Sequence, residues 1–241
     1  MKPLVFLHGW AQSQQIWCQQ HDIFPEALYL NLPGHGDSGD LPSDAWAKAL
    51  AQQLPLEPCL LVGWSLGGML TLQITRSFPD RIAALALVST TPCFRSKSDW
   101  QPGCDQSLFA AFEEAVASGS RRLLNRFFTL MLHGDGLSRR DYNMLAKQAV
   151  DRKHPPTSEG LSDGLELLES MDLRQFIAKV SVPTLIVHGE QDVVVSTDSG
   201  RWLAESMPNS HLHLFQNCGH APFLTQPEIF NRTLTNWWKT L

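Results

Sequence analysis

Ser65 stands between two glycines in Gly63-Trp64-Ser65-Leu66-Gly67, where an apolar run ends, and two later residues, Asp192 and His220, are of the types that could activate it. A serine hydroxyl is a weak nucleophile until a neighbouring base removes its proton. An imidazole can serve as that base, with a carboxylate to fix its tautomer and stabilise the imidazolium that forms. Of the nine histidines, His220 in "FQNCGHAPF" follows the last predicted strand and precedes the last predicted helix. His188, His211 and His213 end or lie within strands and read as structural, while His21, His133 and His154 have no placed partner. Asp192, in "HGEQD", lies on the exit loop of the preceding strand, with Glu190 as its rival. Asp192 is preferred because the chain must clear the strand end before a short carboxylate can turn toward the neighbouring loop.

The glycines around Ser65 suit a tight turn from strand to helix, which strains the serine backbone and lifts its hydroxyl out of the sheet. The turn also puts the serine at a helix N-terminus, where unpaired N–H groups favour negative charge. Attack on an acyl carbon needs donors for the oxyanion, each typically worth about 2.7–4 kcal/mol in the transition state. The Leu66 N–H is one candidate, and the Trp10 N–H, after the His8-Gly9 turn in "FLHGWAQS", is the other. Asp37 and Ser38 in "LPGHGDS" read as loop-holding residues. None of these steps calls for a metal or an organic cofactor.

These residues need elements to hold them. Apolar runs at 4–7, 27–32, 59–62, 82–88, 184–187 and 211–215 predict strands, and their continuous rather than alternating character predicts a parallel sheet covered on both faces. Helical spacing marks 43–54, with Ser43 as its N-cap, then 68–78, 196–206 and 227–240. Between about 91 and 180 the strands disappear, and helices are expected at 108–118, 121–132, 138–150 and 158–170. The expected architecture is therefore an α/β core of residues 1–90 and 181–241, with residues 91–180 as an all-helical cap over the sheet edge.

Composition excludes several other classes. With 43% hydrophobic residues the chain can bury a core, yet none of its apolar runs reaches the ~20 residues of a membrane helix. The segment "MKPLVFLHGW" lacks the features of a signal peptide, so a cytoplasmic location is expected. Five scattered cysteines without a CxxC pair imply free thiols rather than disulfides or a zinc site. A formal charge of −5 gives no reason to expect nucleic acid. Between residues 121 and 153, however, eight cations face three anions, a basic stretch in an acidic chain.

Taken together and in order, "HGW", "LPGHGDS", "GWSLGG", "HGEQD" and "CGHAPF" resemble the α/β-hydrolase superfamily over nearly the whole chain. The sequence order Ser65, Asp192, His220 is that superfamily's order of nucleophile, acid and base. Within it, "LVGWSLGGML", "STTPCFRSKSDW", "LELLESMDLRQ" and "GHAPFLTQPEIF" are similar to the carboxylesterases of biotin synthesis that demethylate pimeloyl-acyl carrier protein methyl ester. That resemblance implies a substrate held between sheet and cap by Trp10, Ser65, Leu66, Phe127, Phe128, Thr129, Leu130, Met131 and His220. It implies contacts from Arg122, Arg126 and Arg139 to the acidic carrier protein, with Asn143 standing where a further arginine is expected. It also implies no cofactor and a monomer. The chain opens at "PLVFLHGW" without the family's leading β-hairpin, so fewer strands are expected at that edge. Generic carboxylesterases, carbon–carbon bond hydrolases and menaquinone-pathway lyases of the same fold use similar triads. A non-catalytic receptor would have little use for an intact Ser65, Asp192 and His220 set.

Overall fold

The computed structural model describes residues 2–119 and 121–241, apart from the side chains of residues 115 and 121–125. Six strands form: β1 (Leu4–Leu7), β2 (Leu28–Leu30), β3 (Cys59–Trp64), β4 (Ile82–Val88), β5 (Thr184–Gly189) and β6 (Ser210–Phe215). All pair in parallel, in the order β2-β1-β3-β4-β5-β6. β1, β3 and β5 are buried along their whole length, which is why their sequences carry no alternating polar residue. Each Val, Leu or Phe so buried contributes about 1.5–3 kcal/mol. The edge strands β2 and β6 are partly exposed, and the alternating His211 and His213 fall on β6.

The helices are α1 (Trp46–Gln53), α2 (Leu66–Ser77), α3 (Gln106–Ala117), α4 (Arg121–Met131), α5 (Arg139–Ala149), α6 (Ser158–Ser170), α7 (Arg174–Ile177), α8 (Thr197–Ser206), α9 (Pro222–Thr225) and α10 (Pro227–Trp238). Among the described residues, none is long and apolar enough to cross a membrane. Helices α3 to α7 all fall between β4 and β5, which nevertheless pair directly, Leu85 opposite Thr184. Side chains of Asp105, Ser138, Thr157 and Ser196 cap α3, α5, α6 and α8. Such caps are typically worth about 1 kcal/mol each. Ser43 departs from its expected role. A 3-10 turn, Ser43–Ala45, precedes α1 with Pro42 at its N-cap, and the Ser43 hydroxyl instead donates to Glu166 Oε2 of α6 at 2.8 Å. The α6 carboxylate competes for that hydroxyl, and no helical pattern along the sequence reports it.

From β1 the chain crosses to β2 on one side, whereas β3 lies on the other. The carboxyl ends of β1 and β3 therefore flank a crevice at the point where the strand order reverses, where ligands of open α/β sheets bind. Ser65 follows β3 at φ 55° and ψ −121°, a region a side chain rarely occupies. Two absent β-carbons make the bend possible. A Cβ at Gly63 would strike Thr71 Oγ1 and come within 2.6 Å of the Gly67 carbonyl, and one at Gly67 would strike the His8 carbonyl and come within 2.6 Å of that of Leu7. These obstacles are mostly backbone, which cannot swing aside. Gly67→Ala is accordingly expected to lose about 1–3 kcal/mol of stability in urea denaturation. An unchanged midpoint would contradict the packing described.

Candidate active site

The bend at Ser65 is anchored on three sides. Its N–H donates to the Val88 carbonyl at 3.0 Å, its carbonyl accepts from Thr90 Oγ1 at 2.7 Å, and that carbonyl also accepts the Gly68 N–H at 2.9 Å. Backbone strain of this kind costs about 1–3 kcal/mol and persists only where the surroundings over-determine it. The hydroxyl is thereby kept at the head of α2 in a residue only 8% exposed.

Asp192 and His220 arrive on the exit loops of β5 and β6 and meet there. His220 Nδ1 lies 2.7 Å from Asp192 Oδ2, with both side chains buried. The N–H is on Nδ1, since an ionised carboxylate only accepts, which leaves Nε2 as an acceptor. Among the described residues, that Nε2 is buried with no hydrogen-bond partner. The loop is fastened next to the bend, because Trp64 Nε1 donates to the His220 carbonyl at 2.8 Å and the two rings lie 5.3 Å apart. Glu190, the alternative carboxylate, is exposed.

Asp192 is held more firmly than the sequence suggests. Its Oδ1 accepts the N–H groups of Val194 and Val195, each at 2.9 Å, and His188 Nε2 lies 3.2 Å from Oδ2. Burial, the largest influence, works against ionisation, but the electrostatic pairing with His220 and the hydrogen bonds from His188 and His220 outweigh it and hold the carboxyl well below the usual range. His188 was expected to be structural, and its contact with Asp192 is a feature that strand position alone does not reveal.

The Trp10 loop is built on two further histidines. His8 Nε2 accepts the Leu32 N–H at 3.0 Å, so its proton sits on Nδ1, which donates to the Gly9 carbonyl at 2.8 Å. His35 has the same arrangement, accepting the Ala11 N–H at 3.2 Å and donating to the Pro33 carbonyl at 2.8 Å. Both rings must be neutral to do this, and burial drives their pKa values down to about 3 for His8 and about 4 for His35. Between them, Ala11 is held at φ 60°. Among the described residues the Trp10 N–H has no acceptor, and the Leu66 N–H is one of the first-turn donors that a helix leaves unpaired. Asp37 accepts from Asn31 Nδ2 at 2.7 Å, a contact within its own loop.

The indole of Trp10 reaches in the opposite direction, donating to the Leu161 carbonyl of α6 at 2.9 Å and packing edge-on against Phe127 at 5.2 Å. Phe128 packs on Tyr142 at 5.9 Å and lines a cavity of about 390 Å³ that runs between Ala11, Gln12 and Ser13 and the inner face of α5. Met131 is buried, Leu130 is half-buried, and Thr129 is exposed with its hydroxyl 2.8 Å from that of Tyr142. Arg126 and Arg139 are exposed, as is Asn143, whereas the Arg122 side chain lies outside the described residues.

A family model described as the alpha/beta hydrolase fold matches residues 2–227. The pimeloyl-[acyl-carrier protein] methyl ester esterase of Nitrosomonas europaea is 37% identical over 233 residues, covering 94% of this chain and 92% of that protein. The protein of the same name from Klebsiella pneumoniae subsp. pneumoniae is 35% identical over 233 residues, covering 94% and 90%. Among solved structures, the esterase EaEST from Exiguobacterium antarcticum superposes with a TM-score of 0.87 at 24% identity, covering 99% of this chain and 92% of that one. MenH from S. aureus does so with a TM-score of 0.81 at 20% identity, covering 99% and 94%. The last two likenesses are of fold alone.

Because His8 and His35 are kept neutral when folded but return to about 6.5 when unfolded, the unfolded chain binds more protons below that pH. Stability from these groups is therefore full above about pH 6.5 and is lost as pH falls toward about 4. At pH 5 the loss relative to pH 7 is expected to be about 2 kcal/mol for each ring. Urea denaturation at the two pH values checks this, and equal stabilities would contradict it.

Proposed function

This chain belongs to the α/β-hydrolase fold family, and from that premise we propose that it is a serine carboxylesterase acting on pimeloyl-acyl carrier protein methyl ester, with pimeloyl-acyl carrier protein and methanol as products. The observation that carries the reading is the buried His220–Asp192 hydrogen bond of 2.7 Å, with an unpartnered Nε2 on the other side of the ring and Ser65 on the adjoining bend. In this reading His220 Nε2 takes the Ser65 proton as the hydroxyl oxygen attacks the ester carbonyl. The developing oxyanion is met by the Trp10 and Leu66 N–H groups. His220 then returns the proton to the departing methanol. Water attacks the acyl-enzyme with His220 again as base, the acid is released and Ser65 regains its proton.

The substrate class rests on relatives at 32–37% identity that carry this esterase name. The chain's own features agree with it. Helices α3 to α6 serve as a cap in this proposal, and the 390 Å³ cavity beneath α5 lies beside the Trp10 loop, although its lining includes neither Ser65 nor His220. Arg126, Arg139, Arg140, Lys147, Arg152 and Lys153 are exposed cations of the helical segment, toward which an acidic carrier would be steered. We place the enzyme in the cytoplasm as a monomer without a cofactor.

Ser65→Ala is expected to lower kcat/KM by about 10⁴-fold or more toward the carrier-linked ester while leaving the unfolding midpoint within ~0.5 kcal/mol of the parent. Retained activity would exclude Ser65 as the nucleophile. The double change of Arg126 and Arg139 to Glu is expected to raise KM for the carrier-linked ester about tenfold at low salt without altering hydrolysis of a small methyl ester. Equal effects on both substrates would remove the carrier face from the account.

A further inference from the structure

The loop carrying His220 is gripped from outside the sheet by the turn that follows α4. The Met131 carbonyl accepts the His220 N–H at 2.8 Å. Beyond it, Asp135 Oδ1 accepts the Gly219 N–H at 3.0 Å and the Thr225 hydroxyl at 2.7 Å, one residue before His220 and the other at the end of α9 after it. The fit is close on this side. A Cβ at Gly219 would strike the His133 carbonyl and come within 2.9 Å of that of Met131 and 3.0 Å of Asp135 Oδ2. At Gly134, a Cβ would come within 2.6 Å of the Gln191 side chain, next to Asp192. One turn from the helical segment thus touches the loops of both the acid and the base.

Asp135 is an expensive residue in this place. Its carboxyl is largely buried with the Cys218 thiol beside it, and burial raises its pKa above the ordinary carboxylate value. A residue needed only to fill space would not require a carboxyl group. What the carboxyl supplies is a single oxygen that two donors on either side of His220 share. We propose that Asp135 is a positioning residue, which fixes the backbone on both sides of His220 and so aims Nε2 at Ser65. Through it the helices between β4 and β5 bear directly on the geometry of the base. The inference rests on reading Ser65 and His220 as nucleophile and base.

The test compares Asp135→Ala, Asp135→Asn and Thr225→Val on a small chromogenic ester, with active sites counted by fluorophosphonate titration and unfolding midpoints measured in parallel. Misplacement of a reacting group by about 1 Å can cost about a hundredfold, so Asp135→Ala is expected to lower kcat per titrated site about tenfold to a hundredfold with KM within about twofold. Asp135→Asn, which keeps the Oδ1 acceptor, should stay within about threefold of the parent, and Thr225→Val, which removes one donor, should lose about threefold to tenfold. Parental kcat per titrated site in Asp135→Ala overturns the proposal, as does an Asn variant as impaired as the Ala variant, or a loss confined to KM. If Asp135→Ala does not fold, parental kcat in Thr225→Val overturns it. Failure of the esterase reading looks different: the parent would be inactive toward the ester, or Ser65→Ala fully active.

Discussion

Three hydrogen bonds, one donated to the Val88 carbonyl and two accepted from Thr90 and Gly68, hold Ser65 in a backbone conformation that it would not keep alone. The bend they stabilise exists only because positions 63 and 67 carry no β-carbon, and it lets α2 start beside the carbonyls of Leu7 and His8. That closeness sets the distance between the ends of β1 and β3. The oxyanion donors proposed here, one from each strand's exit, come into register through the same contact. A sheet that failed to bend at Ser65 would separate them as well as burying the hydroxyl.

The electrostatics of the crevice divide along the same line. On the β5–β6 side, a buried carboxylate stays ionised because two histidines and two main-chain N–H groups surround it. Burying a charge is costly unless it is paired and hydrogen-bonded, and here Val194, Val195 and His220 donate to the two oxygens, with His188 Nε2 shared between Oδ2 at 3.2 Å and the Val195 carbonyl at 3.0 Å. On the β1–β2 side, His8 and His35 are neutral, each accepting a main-chain N–H and donating to a carbonyl. They act as shape-keeping groups for the Trp10 loop. Among the described residues, His220 keeps an unused Nε2, and the buried setting preserves it from casual solvent contact. His188 Nδ1 is also buried without a partner, but its ring is turned to α8, where it lies against Gly200.

Much of the fold could be read from local pattern. β1 and β4 have the expected limits, because each is an apolar run with turn residues at its end, and α6 spans its expected residues because its spacing is uninterrupted. Short elements escaped: the 3-10 helix Gln14–Trp17, α7 and α9 are each one turn long and show no period. Contacts that join distant residues escaped for a different reason. Ser43 was a reasonable cap by local rules, yet Glu166 takes its hydroxyl, and nothing near His35, His188 or Asp135 in sequence names Ala11, Asp192 or Gly219 as its partner. Ser65, Asp192 and His220 stood out because strand-end loops have a common destination in a parallel sheet. The residues of α4 had no such guide, and Phe127 and Thr129, two positions apart on it, face a buried aromatic cluster and the surface respectively.

The central claim is that Ser65 is the group that becomes covalently modified during catalysis. Peptide mapping by mass spectrometry after partial inactivation with a fluorophosphonate tests it most directly, with residual esterase activity followed in the same samples. The account predicts one phosphonyl group per chain, located on Ser65, with activity falling in proportion to its occupancy. Full labelling of Ser65 with activity intact, or inactivation with the label on another residue, would contradict it.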